Sequence, residues 1–69
     1  MLKDNLIRLR KERGYSQEKI AGLTGVSRQT YAKWEKGQTV PDVQKVWLIS
    51  GIYGVTMESL VYSHDCSED

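Results

Sequence analysis

Helix-start residues and glycines divide this chain into short helical segments. Two of these segments, the second and the third, are separated by only a few residues. Ser16 and Ser27 each precede an apolar-periodic segment, and Gly25 stands two positions before Ser27. Ser is a preferred N-cap, and Gly adopts the left-handed conformation that ends many helices. The second helix therefore ends, and the third begins, within a single turn at residues 25–27. We expect two helices joined this closely to cross at a steep angle.

The remaining segments also have the period of helices. Leu2, Leu6 and Leu9 recur at spacings of four and three, which places them on one face of a first helix that ends at Gly14. No segment alternates apolar and polar residues over a useful length, as a half-buried strand would. The predicted fold class is therefore all-α.

Two more helices are expected in the carboxyl half of the chain. Asp42 can cap a fourth helix that ends near residues 51–54, and Thr56 can cap a short fifth helix. The spacing of apolar residues predicts that both Trp34 and Trp47 face the core. The inner stripe expected for the fourth helix consists of Val43, Val46, Trp47 and Ser50.

Length and composition bound the class of protein. The 69 residues suit one small domain, and a hydrophobic content of 39% with 28% charged residues is typical of a globular chain. The longest apolar run, residues 46–49, is far shorter than the roughly 18 residues of a membrane span, and the amino terminus does not resemble a secretory signal. Cys66 is the single cysteine, so no internal disulfide can form, as expected in a reducing cytoplasm. We expect a domain at residues 1–62 and a polar, disordered tail at 63–69.

The formal net charge of +1 conceals two unlike halves. Residues 1–37 contain nine Lys or Arg against four Asp or Glu, a net charge of +5, whereas residues 38–69 contain one Lys against five Asp or Glu, a net charge of −4. The basic half is consistent with a surface that faces a polyanion, although a local charge of this size is a weak indication by itself.

One face of the predicted third helix combines aromatic residues with a carboxylate. At about 100° per residue, Tyr31, Trp34 and Glu35 share this face. A buried carboxylate needs a partner, and the guanidinium of Arg10, at the edge of the apolar stripe of the first helix, can supply two hydrogen bonds. We therefore predict an Arg10–Glu35 ion pair that holds the third helix against the first.

The opposite face of the third helix is polar and basic. It carries Gln29, Lys33 and Lys36, with Ser27, Arg28 and Thr30 grouped around the first turn. Amide and guanidinium groups can bind the base edges of duplex DNA, and hydroxyls and ammonium groups can reach bases or phosphates. Taken alone, these residues also suit an ordinary solvated helix face.

The run YSQEKIAGLTGVSRQTYAKWEKG, at residues 15–37, resembles the helix-turn-helix of the phage repressor and Cro-like (XRE) family of DNA-binding proteins. The resemblance extends to residues 6–14 and 40–60. It implies a compact, five-helix, lambda-repressor-like domain in which helices two and three form the helix-turn-helix and helix three enters the major groove. The residues that carry it are Ser16, Gln17, Ala21, Gly25, Val26, Ser27, Glu35 and Gly37.

This resemblance, with the chemistry of the outward face, assigns DNA contacts. Arg10 and Glu35 occupy the positions of the family's structural ion pair. The expected base-contacting residues are Ser27, Arg28, Gln29 and Lys33, although Arg28 suits a phosphate equally well. The expected phosphate-contacting residues are Gln17, Lys19, Thr30, Lys36, Gln38 and Thr39.

A second copy of the chain is the expected protein partner. The resemblance implies a symmetric dimer that reads two half-sites roughly 34 Å apart. A small domain without a disulfide or metal also gains stability by association. The apolar residues expected at a homodimer interface through helices four and five are Leu48, Ile52, Met57, Val61 and Tyr62.

These observations predict a cytoplasmic, sequence-specific transcriptional regulator of double-stranded DNA, of the repressor type. A protein-interaction module, such as an antitoxin or an accessory subunit, remains the alternative. An enzyme is the least supported class, because no paired carboxylates or phosphate-binding Gly loop occur. His64 and Cys66 alone are too few ligands for a metal site. We expect no cofactor, no metal, no small-molecule substrate and no membrane association.

Overall fold

A computed structural model describes residues 2–62 of the chain. It confirms the all-α prediction of five helices, and no strand occurs between residues 2 and 62. None of the helices in this range is long and apolar enough to cross a membrane. The predicted tail at 63–69, with His64 and Cys66, lies outside the described residues. The helices are α1 (Leu2–Arg13), α2 (Gln17–Thr24), α3 (Arg28–Lys36), α4 (Val43–Tyr53) and α5 (Met57–Val61).

The predicted caps set the boundaries of α2 and α3. The Ser16 hydroxyl accepts a hydrogen bond from the Lys19 amide at 3.0 Å, and the Ser27 hydroxyl accepts one from the Thr30 amide at 3.1 Å. Gly25 ends α2 with φ +78°, a conformation that L side chains rarely adopt. Its left-handed backbone turns the chain so sharply that α3 begins three residues later, which confirms the short turn predicted between the two helices.

The core lies where the five helices meet. Leu6 of α1, Ile20 of α2, Tyr31 of α3 and Ile49 of α4 have no exposed surface or almost none. Most of the remaining core residues lie on α1 to α4, and Leu60 extends the core to α5. Because Tyr31 and Trp34 point into this core, the opposite face of α3 is directed into solvent.

The rotation of α4 differs from the prediction. Its buried stripe is Val46, Ile49, Ser50 and Tyr53, and the expectation that Trp47 faces the core is wrong, since 63% of its surface is exposed. The Tyr53 ring stacks on the Tyr15 ring with centroids 6.2 Å apart and lies under the Arg13 guanidinium. These contacts bury Tyr53 and turn the predicted inner residues Val43 and Trp47 outward.

Two polar side chains on α1 hold the other helices in place. The buried Asn5 amide nitrogen donates to the backbone oxygens of Leu60 at 2.7 Å and Tyr62 at 3.1 Å, so it satisfies carbonyls at the end of α5. Arg13 donates to the Tyr53 backbone oxygen at the end of α4. Neither contact follows from helical periodicity, since polar residues on α1 suit a solvated face equally well.

Candidate nucleic-acid interface

The two faces of α3 separate as predicted. Tyr31, Trp34 and Glu35 are buried, whereas Gln29 and Lys33 are exposed. The nine residues of α3 span about 13 Å at 1.5 Å per residue. An α-helix with its side chains is about 10–12 Å in diameter, so a helix with a free polar face fits the major groove of DNA, which is about 12 Å wide.

The predicted Arg10–Glu35 ion pair is confirmed. The Arg10 Nε donates to Glu35 Oε2 at 2.6 Å, and its Nη2 lies 3.2 Å from Oε1. The guanidinium also donates through Nη1 to the Tyr15 backbone oxygen at 3.0 Å. Burial raises the pKa of Glu35, but the hydrogen bonds that its carboxylate accepts, the one from Arg10 foremost, act together with the charge of Arg10 to outweigh burial and hold that pKa below its usual value.

The buried carboxylate also orients a residue at the edge of α3. Gln17, at the start of α2, donates its side-chain amide to Glu35 Oε1 at 3.0 Å. The Gln17 Oε1 then faces outward and lies 3.5 Å from Nη1 of Arg28. The structure thus connects Arg10 in α1 to Arg28 in the first turn of α3 through two intervening polar side chains.

Most of the predicted DNA-contacting residues lie around one open cavity of about 350 Å³. The start of α2, the outward face of α3 and the loop after α3 contribute to it. Among the described residues, Gln29, Lys33, Lys36 and Gln38 have no side-chain hydrogen bond to the protein, so their polar groups are available to a ligand. The lining residues are Gln17, Arg28, Gln29, Ala32, Lys33, Lys36 and Gln38.

Four predicted contact residues lie outside this cavity. The Ser27 and Thr30 hydroxyls are 3.0 Å apart and hydrogen-bond to one another as part of the α3 cap. Lys19 is exposed on α2, and Thr39 lines a neighbouring cavity that also contains Lys36. All four side chains are exposed, so their predicted contacts to DNA stay predictions.

Sequence reasoning missed Ala32 in this cavity. Ala32 follows Gln29 by three residues, so helical spacing places both on the same face. Its small side chain leaves room in the cavity beside Gln29 and Lys33. Ala32 was missed because an alanine side chain has no polar group that would indicate a binding role, unlike the polar residues around it.

The predicted dimer residues are less exposed than expected. Ile52, Met57 and Val61 are half-buried and pack against the core of their own chain. Leu48 is also half-buried, whereas Tyr62 is 63% exposed. Trp47, which sequence reasoning placed in the core, provides the largest exposed apolar side chain on α4.

The groups on the outer face of α3 are suited to binding. Between residues 2 and 62, no group of three or more His, Cys, Asp or Glu side chains is placed to hold a metal ion. The strongest electrostatic feature of the site, the Arg10–Glu35 pair, lies behind α3 and positions it. The groups in front are amides and cations, which bind base edges and phosphates.

Comparison with known proteins agrees with this geometry. A sequence profile described as helix-turn-helix matches residues 6–60. The chain is 36% identical over 61 residues to the SPbeta prophage-derived HTH-type transcriptional regulator YonR of Bacillus subtilis, covering 88% of this chain and 56% of YonR. It is also 36% identical over 61 residues to the CTXphi transcriptional repressor RstR of Vibrio cholerae, covering 88% of this chain and 55% of RstR.

Another B. subtilis protein, the HTH-type transcriptional regulator YgzD, is 38% identical over 61 residues, which is 88% of this chain and 92% of YgzD. The chain thus spans about half the length of YonR and RstR but nearly all of YgzD. A crystal structure of a transcriptional regulator from Listeria innocua superposes with a TM-score of 0.86 at 30% identity, covering all of this chain and 65% of that one. The chain belongs to the helix-turn-helix family of transcriptional regulators, of the repressor and Cro-like (XRE) type.

Proposed function

We propose that this protein is a cytoplasmic transcriptional regulator that binds a specific double-stranded DNA operator as a homodimer, acts as a repressor, and inserts α3 into the major groove. The observation that carries the proposal is the cavity in front of α3, where six of the ten predicted DNA contacts meet. Occupying an operator requires no chemical step, so the proposal needs neither a cofactor nor an enzymatic activity. The proposed role as a transcriptional regulator is supported by the similar proteins YonR, RstR and YgzD, which are named as transcriptional regulators.

Within this proposal, the residues of the cavity divide into two roles. Gln29 and Lys33 extend from the middle of the exposed face of α3 and choose the base sequence, because amide and ammonium groups bind base edges in the major groove. Lys36 and Gln38, at the end of α3, bind phosphates and set the register and the affinity. Arg28, held near Gln17, stands at the border between the two groups.

The homodimer is supported by apolar surface that the fold leaves uncovered. Trp47 is 63% exposed on α4, and it lines a concave surface with Leu48 and Ile52, two of the predicted interface residues. Association of two copies through this surface would cover an indole that water otherwise surrounds. Like Ile52, the predicted interface residues Met57 and Val61 are half-buried against their own core, so each offers only part of its side chain to a second copy.

Selection of bound sequences from a pool of random duplexes tests the proposal. The expected outcome is a palindromic consensus whose half-sites are about one helical turn apart, roughly 34 Å. Recovery of unrelated sequences at every round would contradict sequence-specific recognition. A consensus with one half-site and no symmetry would contradict the dimer while leaving recognition by α3 intact.

The exposed Trp47 surface also supports a second candidate, a protein-interaction module that binds a different protein. The two functions differ in their response to salt, because DNA binding that neutralises several phosphates weakens steeply as salt rises. A salt titration of binding to random duplex DNA separates them. Steep dependence favours the regulator, and absence of any binding at 50 mM salt favours the interaction module.

A further inference from the structure

A second cavity, which we call the Lys3 cleft, adjoins the cavity in front of α3. It has a volume of about 280 Å³ and lies between the start of α1 and the end of α3. Lys36 lines both cavities, so they form one continuous surface. The lining residues are Leu2, Lys3, Trp34, Lys36, Gly37, Thr39 and Val40.

The side chain of Lys3 lies close to Gly37, at the end of α3. A Cβ atom on Gly37 would lie 3.1 Å from Cδ of Lys3 and 3.9 Å from its Nζ. A contact at 3.1 Å is tight, so the Lys3 side chain would have to shift by a few tenths of an ångström to admit a larger residue at position 37. The packing therefore places the Lys3 ammonium beside the basic end of α3, although Lys3 and Lys36 are far apart in sequence.

Within residues 2–62, the Lys3 ammonium has no partner. Among residues 2–62, no carboxylate forms an ion pair with it and no acceptor takes a hydrogen bond from it. Lys3 also lies in the first turn of α1, where the helix dipole disfavours a cation. The exposed ammonium is therefore available to an anion outside the protein.

Apart from the two lysines and Thr39, the side chains that line the cleft are apolar. Leu2 is half-buried, and Val40 on the facing loop is 75% exposed. A nucleic-acid backbone has this combination of groups, since anionic phosphates alternate with deoxyribose rings that present C–H bonds. A free inorganic anion would use the two lysines but leave the apolar side chains without a role.

We propose that the Lys3 cleft binds the sugar-phosphate backbone of the DNA that lies on α3, with Lys3 and Lys36 on a phosphate and Val40 against a neighbouring deoxyribose. This inference rests on the proposed DNA-binding function. It adds a contact from α1, outside the helix-turn-helix, and so extends the footprint past the end of α3.

The test is the salt dependence of DNA affinity, measured by fluorescence anisotropy with the full chain and a labelled duplex recovered by selection. Each phosphate contact contributes about 0.9 to the slope of log affinity against log salt. We expect Lys3→Gln to lower the slope by about this amount and Lys3→Arg to retain it. Lys45→Gln removes one charge from α4, away from the cleft, and serves as the matched control with an unchanged slope. Circular dichroism melting verifies that each variant folds.

Val40→Ser tests the apolar half of the cleft. We expect weaker binding with an unchanged salt slope, because serine removes contact with the sugar and no charge. If Lys3→Gln and Lys45→Gln have the same slope as the unchanged protein, the phosphate contact is wrong, although the proposed function stands. If Val40→Ser binds as tightly as the unchanged protein, the sugar contact is wrong. If the unchanged protein binds no DNA, the proposed function fails and the cleft has no such ligand.

Discussion

Arg10 of α1 and Glu35 of α3 form a two-point hydrogen-bonded ion pair, in which Nε lies 2.6 Å from Oε2 and Nη2 lies 3.2 Å from Oε1. Their side chains are 15% and 6% exposed, so the pair is largely withdrawn from water. A two-point pair restricts rotation as well as distance, which fixes the direction in which α3 presents its outer face.

Arg10→Met should lower the free energy of unfolding by about 3 to 5 kcal/mol, because it leaves the Glu35 carboxylate buried without its cation. Urea denaturation measures the change. Arg8→Met is the matched control, since Arg8 pairs with Glu12 in solvent at 3.4 Å and such pairs contribute less than about 1 kcal/mol. Equal losses for the two variants would show that the Arg10–Glu35 pair has no special role in stability.

The same pair predicts how stability depends on pH. The pKa of Glu35 is lower in the folded state than its ordinary value of about 4.3, so the folded state favours the ionised form. This contribution is complete above about pH 5 and is lost as pH falls through the ordinary pKa toward the folded one. Urea midpoints at pH 7 and pH 3 should therefore differ less for Glu35→Gln than for the unchanged protein. An equal difference in both proteins would contradict this origin of the acid sensitivity.

Asn5 should be essential for the docking of α5. Asn5→Ala removes the donor to the Leu60 and Tyr62 backbone oxygens and should cost about 1 to 3 kcal/mol, because buried acceptors are left unsatisfied. Hydrogen exchange should accelerate most at the amides of residues 60–62. Uniform acceleration throughout the chain would indicate general destabilisation instead of local release of α5.

The fold was largely predictable because its helix boundaries depend on local chemistry. Ser16, Ser27, Asp42 and Thr56 each accept the capping hydrogen bond expected of them, with distances between 2.9 and 3.1 Å. The inward phase of α3 was also predictable, since its aromatic residues and Glu35 all lie within one narrow sector of the helix.

The rotation of α4 about its own axis, which decides which of its residues face the core, was not predictable in the same way. Apolar residues surround most of that helix, so periodicity alone leaves its rotation open. The Tyr53–Tyr15 stacking and the Arg13 contact decide it, and both depend on tertiary packing that no local pattern encodes. The Gln17–Glu35 hydrogen bond and the position of Lys3 over Gly37 were missed for the same reason.

The two tryptophans should respond oppositely to substitution. Trp34 is 5% exposed and Trp47 is 63% exposed. Trp34→Ser should destabilise the fold by about 3 to 5 kcal/mol, whereas Trp47→Ser should change it by less than about 1 kcal/mol in dilute solution. Sedimentation equilibrium should show that Trp47→Ser weakens self-association. Similar self-association of Trp47→Ser and the unchanged protein would place the dimer interface elsewhere.

Selection of the DNA sequence by the outer face of α3 is tested most directly by a comparison of Gln29→Ala with Lys36→Ala. Anisotropy titrations would use the selected operator and a scrambled duplex of equal length at one salt concentration. Gln29→Ala should lose about 1 to 3 kcal/mol of binding free energy on the operator and almost none on the scrambled duplex, whereas Lys36→Ala should weaken both alike. Equal losses on the two duplexes for Gln29→Ala would contradict base recognition by α3.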